Sequence, residues 1–325
     1  MNKIHFLVLF ISLLLFSCKK EDADTPKKTT GKINSISVIV DDLLWNGEVG
    51  DSIRNKFASP VIGLPQEEPL FTINQYPVKL MEGFMTDCRN IIVIKKGNEN
   101  IFQIKENQCA SPQNVFHFTG KTGSAILEMI EKNAPKIIQI IHQTEIEENQ
   151  RLNRVSLLNS KNISHEFNIK IEIPSAYKYA LQKPNFIWLK KEIISGNTSL
   201  LIYQLPLNVL KNRKNAVSNI IKARDSIGRL YIHGKEPDTD MITEEAYAPY
   251  FLKSEQDGKP AYVTKGTWEV KNDFMSGPFV NYAIVDEENN RVLILEGFCY
   301  SPSKEKRDLM HELESIIKSV SIIKK

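Results

Sequence analysis

The pattern of apolar residues changes near residue 160, and this change divides the chain in two. A helical pattern runs from about Thr122 to Leu158, with apolar residues recurring every three or four positions. The next segment, Phe167 to Ile173, alternates apolar and polar residues, which is the period of a β-strand. Each half opens with a strand, continues with further strands and ends on a helix. The sequence therefore predicts an α+β protein of two tandem units, 35–160 and 161–325, with antiparallel sheets packed by helices.

Three local patterns add detail to this prediction. The runs Ile91–Ile94 and Ile101–Ile104 flank a Gly-Asn turn region and predict a β-hairpin in the first half. A C-terminal helix is predicted from near Ser303, with Leu309, Leu313, Ile316 and Ile317 facing inward. Its start lacks a capping box, because Lys306 stands where a glutamate would complete that motif with Ser303.

The chain begins with a short apolar segment. It covers 13 residues, from Ile4 to Phe16, and a membrane-spanning helix needs about 20. Lys3 in front of it and small Ser17 behind it complete the three regions of a secretory signal peptide. Residues 1–17 are therefore predicted to be a signal peptide and not a transmembrane helix.

The residues that end this segment, Leu15 to Cys18, resemble a bacterial lipobox, although Phe16 departs from the usual small or aliphatic residue. The resemblance implies that Cys18 is acylated and becomes the first residue of the mature protein. More than one acyl chain would hold the protein durably at a membrane. We therefore expect a lipoprotein of the cell envelope at the outer membrane, with display on the cell surface as an open alternative to the inner leaflet. The alternative is an ordinary signal peptide that is cut elsewhere and leaves Cys18 free.

A polar segment follows Cys18. From Lys19 to Lys32 it has no apolar residue larger than Ala23 and is rich in charged residues, Thr, Pro and Gly. Such a composition does not bury a core. Residues 18–34 are therefore predicted to be a flexible tether between the lipid anchor and the folded units.

Composition and cysteine content narrow the class of protein. Apolar residues make up 42% of the chain and charged residues 25%, values typical of globular proteins. The formal net charge of +3 is too small to indicate a nucleic-acid surface, so no nucleic-acid partner is predicted. In an oxidising envelope, Cys88 and Cys109 could form a disulfide and leave Cys299 unpaired. Three independent buried thiols are an equally good interpretation.

Several motifs point to a known family. Trp45 to Asp51 (WNGEVGD), Leu64 to Phe71 (LPQEEPLF) and Arg89 to Ile91 resemble those of uncharacterised Bacteroidota lipoproteins that are grouped as a domain of unknown function. The resemblance covers the mature chain and implies no activity. The second half, with Trp268 before a Gly277-Pro278 turn, is similar in element order to PsbP/Mog1-like domains, which implies a fold and not a function.

The sequence contains no recognisable catalytic set. No pair of His or Cys residues has zinc-ligand spacing, and no cofactor or metal is predicted. Adjacent carboxylates at Asp41 and Asp42, and at Glu67 and Glu68, could serve a glycan or peptide hydrolase, although neighbours on a strand point to opposite faces.

The sequence therefore favours a non-catalytic binding or scaffolding role over this hydrolase alternative. The expected partners are the membrane, through Cys18, and an envelope protein or glycan. The candidate binding surface consists of Trp45, Glu67, Glu68 and Trp268.

Overall fold

The computed structural model describes residues 27–80, 86–210 and 215–323. It confirms a mixed α+β architecture with two sheet-containing units. The first unit is built on a five-stranded sheet and the second on an eight-stranded sheet.

Among its described residues, the first unit has five strands and three α-helices. In chain order they are β1 (Ser35–Ile39), α1 (Asp42–Trp45), α2 (Glu48–Phe57), β2 (Thr72–Tyr76), β3 (Asn90–Lys96), β4 (Ile101–Glu106), β5 (Asn114–Gly120) and α3 (Gly123–Asn153). The strand order across the sheet is β2-β1-β3-β5-β4. The pairs β1–β2, β1–β3 and β3–β5 are parallel, and β4–β5 is antiparallel.

Two expectations for this unit were wrong. The sheet is mostly parallel, not antiparallel, and the predicted hairpin of Ile91–Ile94 with Ile101–Ile104 does not form, because β5 lies between β3 and β4. The reason is that the first five residues of β3 are all buried. An uninterrupted apolar run of this kind is typical of a central strand covered on both faces, and β3 has this place between β1 and β5.

Helices α2 and α3 cover one face of this sheet. The apolar stripe of α3 packs there through Ile126, Ile130, Ala134, Ile137 and Ile141. Thr122 begins the helix by accepting a hydrogen bond at Oγ1 from the main-chain N–H of Ala125, at 3.1 Å. The helix is 31 residues long and continues past this core toward the second unit.

The second unit is larger and antiparallel. Its elements are α4 (Lys161–Phe167), β6 (Ile169–Lys170), β7 (Lys178–Lys183), β8 (Phe186–Ile193), β9 (Gly196–Pro206), α5 (Ala216–Tyr231), β10 (Met241–Thr243), β11 (Tyr250–Gln256), β12 (Lys259–Val270), β13 (Ser276–Asp286), β14 (Arg291–Tyr300), α6 (Arg307–Lys318) and β15 (Ser321–Ile322). The main sheet runs β10-β12-β13-β14-β9-β8-β7, and β11 also pairs with β12.

The segment Phe167 to Ile173 was predicted as a full strand, and this was wrong. The helix α4 extends through Phe167, and only Ile169–Lys170 forms a ladder, with Ser321–Ile322. The alternation still describes the side chains, because Phe167, Ile169, Ile171 and Ile173 are all buried. The alternation of apolar and polar residues thus indicates a segment with one buried side, whether or not its backbone forms sheet hydrogen bonds.

Both faces of the eight-stranded sheet are covered. Side chains of α6, such as Leu313 and Ile316, pack on one face, and α5 packs on the other. Beneath α5, the guanidinium group of Arg224 lies 4.0 Å from the centre of the Phe279 ring and 3.0 Å from a carboxylate oxygen of fully buried Glu296. Helices α5 and α6 therefore lie on opposite sides of the second unit.

The predicted signal peptide and the predicted lipidation site Cys18 lie outside the described residues, as does about half of the predicted tether. Its last part, from Lys27, contacts the first unit: Lys27 forms an ion pair with Asp87, and the N–H of Thr30 donates to the carbonyl of Asp87 at 2.8 Å. Within the described part of the chain, no helix combines the length and apolar character needed to cross a bilayer.

Candidate functional site

The long helix α3 and the C-terminal helix α6 meet where the two units join. Gln150 donates a hydrogen bond to the main-chain carbonyl of Ser315 at 3.0 Å, and Asn153 donates to Ser315 Oγ at 3.2 Å. The rings of His142 and His311 meet edge to face, with 5.7 Å between their centres. This part of α3 is polar. Its buried side has the carboxylates of Glu145 and Glu148, whereas the buried side of the first half of the helix consists mainly of isoleucine.

A buried ion pair anchors α3 to the first unit. Nε of Arg89 lies 2.9 Å from one carboxylate oxygen of Glu145, and an Nη atom lies 3.0 Å from the other. Asn90 and the main-chain N–H of Asn34 also donate to this carboxylate, at 2.6 and 2.9 Å. The side chain of Asn34 in turn donates to Asp308 of α6 at 2.9 Å. These bonds connect the start of β1, helix α3 and helix α6.

A second connection is made by Glu68. Its carboxylate accepts hydrogen bonds from the main-chain N–H groups of Lys306 and Arg307, each at 2.7 Å. These donors belong to the first turn of α6, where N–H groups have no partner within the helix. Arg307 reaches back and donates to the carbonyl of Pro69 at 2.9 Å. The loop from Ser59 to Leu70 is thus fixed against the second unit.

These contacts surround an open cavity of about 250 Å³ between the units. Its titratable side chains are His142 of α3, Lys265 of β12, and Arg307, His311 and Glu314 of α6, and the polar residues Asn34 and Ser59 line it too. The loop before β2 supplies an apolar wall. Gly63 allows this loop to approach closely, since it has φ +86° and a Cβ there would lie 2.9 Å from Cβ of Lys265.

Glu314 is fully paired inside this cavity. The hydroxyl of Tyr282 donates to it at 2.6 Å and the ammonium group of Lys265 at 2.9 Å. Burial acts to raise the pKa of Glu314, but the charge of Lys265 and these two hydrogen bonds outweigh it and hold the pKa well below its ordinary value. Glu314 is therefore a carboxylate at neutral pH, and Lys265 compensates its charge.

The two histidines are neutral at pH 7. Burial lowers the pKa of His142 from 6.5 to about 4, and the nearby carboxylate of Glu314 opposes this only in part. Burial also lowers the pKa of His311, although a hydrogen bond to the main chain of Glu145 acts to raise it. Nε2 of His311 is buried and has no hydrogen-bond partner among the described residues. This nitrogen is closed off by the surrounding protein from the cavity as well as from solvent.

The structure does not bring the predicted binding residues Trp45, Glu67, Glu68 and Trp268 together. Trp45 is half-buried, and the guanidinium group of Arg54 lies over its ring, 4.5 Å from the ring centre. Glu67 is exposed, whereas the neighbouring Glu68 is buried at the start of α6. Trp268 is 2% exposed and packs in the core beneath α5. Of these four residues only Glu68 lies near the cavity, where it holds the loop from Ser59 to Leu70 against α6.

The remaining predicted site residues are the cysteines. Cys88, Cys109 and Cys299 are free thiols in the structure, so no bond joins Cys88 to Cys109. Cys109 is exposed and Cys299 is buried, and burial raises the pKa of the Cys299 thiol to about 12. Cys18, the predicted lipidation site, lies outside the described residues.

Sequence spacing did not indicate the cavity residues, because they come from distant parts of the chain. One signal was present: the apolar stripe of α3 continues from Ile137 and Ile141 into Glu145 and Glu148 at the same spacing. Carboxylates in a core-facing stripe indicate buried charge that needs a partner. In the described ranges, no group of three or more His, Cys, Asp or Glu side chains is arranged to hold a metal ion.

Solved structures with a similar arrangement cover about half of the chain. The Ran-binding protein Mog1p of Saccharomyces cerevisiae is 8% identical, with 48% of this chain and 90% of that protein aligned at a TM-score of 0.33. A mutant of protein Mog1 is also 8% identical, with 49% and 92% aligned at a TM-score of 0.30. No curated protein matches the sequence.

Two family profiles match the described chain in tandem. Residues 29–154, which hold the first sheet and α3, match a Domain of unknown function (DUF8532). Residues 156–319, which hold the second sheet and α6, match a Domain of unknown function (DUF4837). The second match spans half of the sequence, and the chain therefore belongs to the DUF4837 family.

Proposed function

We propose that this protein is a lipid-anchored protein of the cell envelope that binds a ligand in the cavity between its two units, without catalysing a reaction. The observation that carries the proposal is the open cavity of about 250 Å³ at the junction, where histidine and charged side chains of α3, β12 and α6 converge beside an apolar wall. Small-molecule sites are commonly concave, with apolar walls and a few convergent polar groups, and this cavity has that form.

The electrostatics of the cavity favour binding over chemistry. A general acid or base works best when its pKa lies near the operating pH. Burial holds the pKa of His142 at about 4, and the pKa of Glu314 is also lowered. Neither group is thus suited to exchange protons at neutral pH.

The hydrolase alternative gains no support from the carboxylates that suggested it. Both oxygens of Glu68 accept hydrogen bonds from main-chain N–H groups of α6, and Glu67 is exposed beside it. Asp41 and Asp42 are both exposed at the start of α1. A pair that faces across a cleft, which such an enzyme needs, is not made by these residues.

Anchoring at Cys18 would place the cavity close to the membrane. Lys27, where the described contacts with the first unit begin, lies nine positions after Cys18. Nine residues span at most about 30 Å when fully extended. The resemblance to Bacteroidota lipoproteins supports the outer membrane as the site of anchoring. A ligand at or near that membrane surface is therefore within reach.

The proposal is tested in cells by photo-crosslinking. A photoreactive residue replaces Ile62, which is 48% exposed and lines the cavity. The matched control replaces Leu230, which is 63% exposed on α5, on the opposite side of the second sheet. We expect an adduct at position 62 that is absent at position 230. Equal labelling at both positions, or none at position 62, would contradict a binding role for the cavity.

Anchoring needs its own measurement. Metabolic labelling with an alkyne fatty acid should mark the wild-type protein and fail to mark Cys18→Ala. Protease treatment of intact cells then shows whether the protein faces outward. Label that persists in Cys18→Ala would disprove the anchor and leave the binding role to be judged by crosslinking alone.

A further inference from the structure

Strand β11 forms an open edge of the second sheet. It pairs with β12 on one side, and no other strand of the described chain pairs with it. At seven residues it is the longest edge strand that the structure describes. Strand β7, at the opposite edge, is interrupted by a register shift between Tyr179 and Leu181, and such irregularities protect an edge from pairing. Strand β11 has no interruption of this kind and can accept a further strand.

The turn after β11 determines which main-chain groups face the open edge. Asp257 and Gly258 have φ +52° and +71°, as in the type I′ turn that joins two strands through a two-residue loop. Gln256 and Lys259 close this loop and exchange hydrogen bonds, and the bonds to β12 recur at every second residue. The intervening residues of β11, such as Glu255, therefore direct their N–H and C=O groups away from β12.

Two side chains of β11 carry opposite charges. Lys253 and Glu255 are two residues apart on the strand, so they point to the same face of the sheet, and both are exposed. An identical strand that pairs antiparallel about a two-fold axis places one residue opposite its own copy. If that residue is Ser254, each Lys253 lies opposite Glu255 of the other copy.

The other registers are less favourable. Opposite charges directly across a strand pair are stabilising, and like charges are destabilising. A pairing centred on Lys253 or on Glu255 would put that residue opposite its own charge. A pairing centred on Leu252 would leave Glu255 without a charged partner. The charge pattern therefore favours self-pairing centred on Ser254.

The edge is also fixed in position by contacts with the end of α6 and with β15. The side chain of Gln256 donates to the main-chain carbonyl of Lys318 at 3.1 Å. The carboxylate of Asp257 accepts a hydrogen bond from the main-chain N–H of Ile322 at 2.7 Å. An edge that is already ordered loses little conformational freedom when a partner binds.

We propose that β11 is a self-association edge, at which a second copy of this chain adds its own β11 antiparallel and centred on Ser254. Main-chain hydrogen bonds and two Lys253–Glu255 pairs hold the copies together. The contact is small, so the dimer is weak in dilute solution. Anchoring of both copies at one membrane surface would raise their effective concentration. No residue of β11 lines the cavity, so this proposal is independent of the ligand-binding role.

Cysteine crosslinking of the full-length protein in cells tests the register. In this arrangement Ser254 forms a non-hydrogen-bonded pair with its own copy, with Cα atoms about 4.5 Å apart, within the range that a disulfide spans. Copper phenanthroline with dissolved oxygen takes two protons and two electrons from the facing thiols of Ser254→Cys. We expect a covalent dimer on a non-reducing gel, above the level that the native cysteines give in the wild type.

Leu252→Cys is the matched control. Leu252 is 50% exposed on the same strand and the same face as Ser254. In the proposed register it lies opposite Gln256 of the second copy and about 13 Å along the strand from its own copy, which is too far for a disulfide. It should therefore give no more dimer than the wild type.

Charge reversal tests the ionic pairs. In the Ser254→Cys background, Lys253→Glu or Glu255→Lys places like charges opposite each other and should lower crosslinking about fivefold. When the two charge variants are expressed together with tags of different size, their charges are complementary again. The mixed dimer should then form at the level of the parent, while each variant's own dimer remains low.

Equal crosslinking of Ser254→Cys and Leu252→Cys, or none above the wild type, would overturn the proposal. Failure of the mixed charge variants to pair would also contradict it. An adduct of Ser254→Cys with a different protein would show that β11 binds another strand in place of its own copy. None of these results bears on the cavity, which crosslinking from position 62 tests separately.

Discussion

The carboxylate of Glu68 accepts a hydrogen bond at 2.7 Å from the main-chain N–H of Lys306, which lies 238 positions further along the sequence. Through this bond a loop of the first unit caps the C-terminal helix of the second. The helix dipole favours a negative charge at this end, and the capped N–H groups are buried. The start of α6 thus depends on a residue from the other unit.

Glu68→Ala should therefore destabilise the whole protein. The substitution leaves two buried N–H groups without a partner, and each loss costs about 1–2 kcal/mol, the range common to helix caps and to unmade buried hydrogen bonds. We expect a loss of about 2–4 kcal/mol, measured as a lower midpoint in urea at pH 7. Glu67→Ala, at the exposed neighbour, should change stability by less than about 0.5 kcal/mol. Equal effects of the two substitutions would show that the cap contributes little.

Arg89→Met should be among the most damaging single substitutions at the junction. It leaves the fully buried carboxylate of Glu145 without its cation, and breaking a buried pair typically costs about 3–5 kcal/mol. The double variant Arg89→Met, Glu145→Leu removes both charges and should recover part of this loss. Urea unfolding of the two single variants and the double variant gives the coupling energy. Strictly additive losses would contradict a direct pairing.

Acidification should weaken the protein through His142. Its pKa is about 4 in the folded protein and 6.5 in an unfolded chain, so the unfolded state binds more protons between these values. The stability contribution is present above pH 6.5 and is lost as the pH falls toward 4, by up to about 3 kcal/mol.

The pH effect is measured by thermal unfolding between pH 7.5 and about 4.5, above the range in which most carboxylates titrate. His142→Gln removes the titrating ring and should give a flatter dependence than the wild type. A variant that follows the wild-type curve over this range would rule out His142 as the source.

The main strands of the second half were predicted from short apolar runs separated by turns. Strands β9, β13 and β14 are buried along most of their length, because both faces of their antiparallel sheet are covered. The first sheet was harder to predict. The apolar run of β3 indicates burial on both faces but carries no information about which strand pairs with it. Its partner β5 was therefore missed.

The candidate site, too, could be predicted from the sequence only in part. The sequence revealed that Ser303 and Lys306 lack a capping box, and the structure supplies the missing carboxylate from Glu68. Sequence spacing gave no link between His142 and His311, because only the packing of α3 on α6 brings them together. Local patterns thus indicated where a partner was needed, while the identity of the partner depended on tertiary structure.

Gly63→Ala should open the wall of the cavity. Gly63 has φ +86°, which costs about 1–2 kcal/mol for a residue with a side chain, and its new Cβ would also meet Cβ of Lys265 at 2.9 Å. Gly258 is a matched control: it has φ +71° but nothing within 4 Å of an added Cβ.

Gly63→Ala should therefore destabilise the protein more than Gly258→Ala in urea unfolding, and only Gly63→Ala should alter crosslinking from position 62. The reason is that the loop must move away from Lys265 to relieve the contact, whereas the turn at Gly258 bears only the cost of its backbone angle. Equal losses for the two variants would mean that the loop shifts freely, and the wall it forms would then be too mobile to shape a binding site.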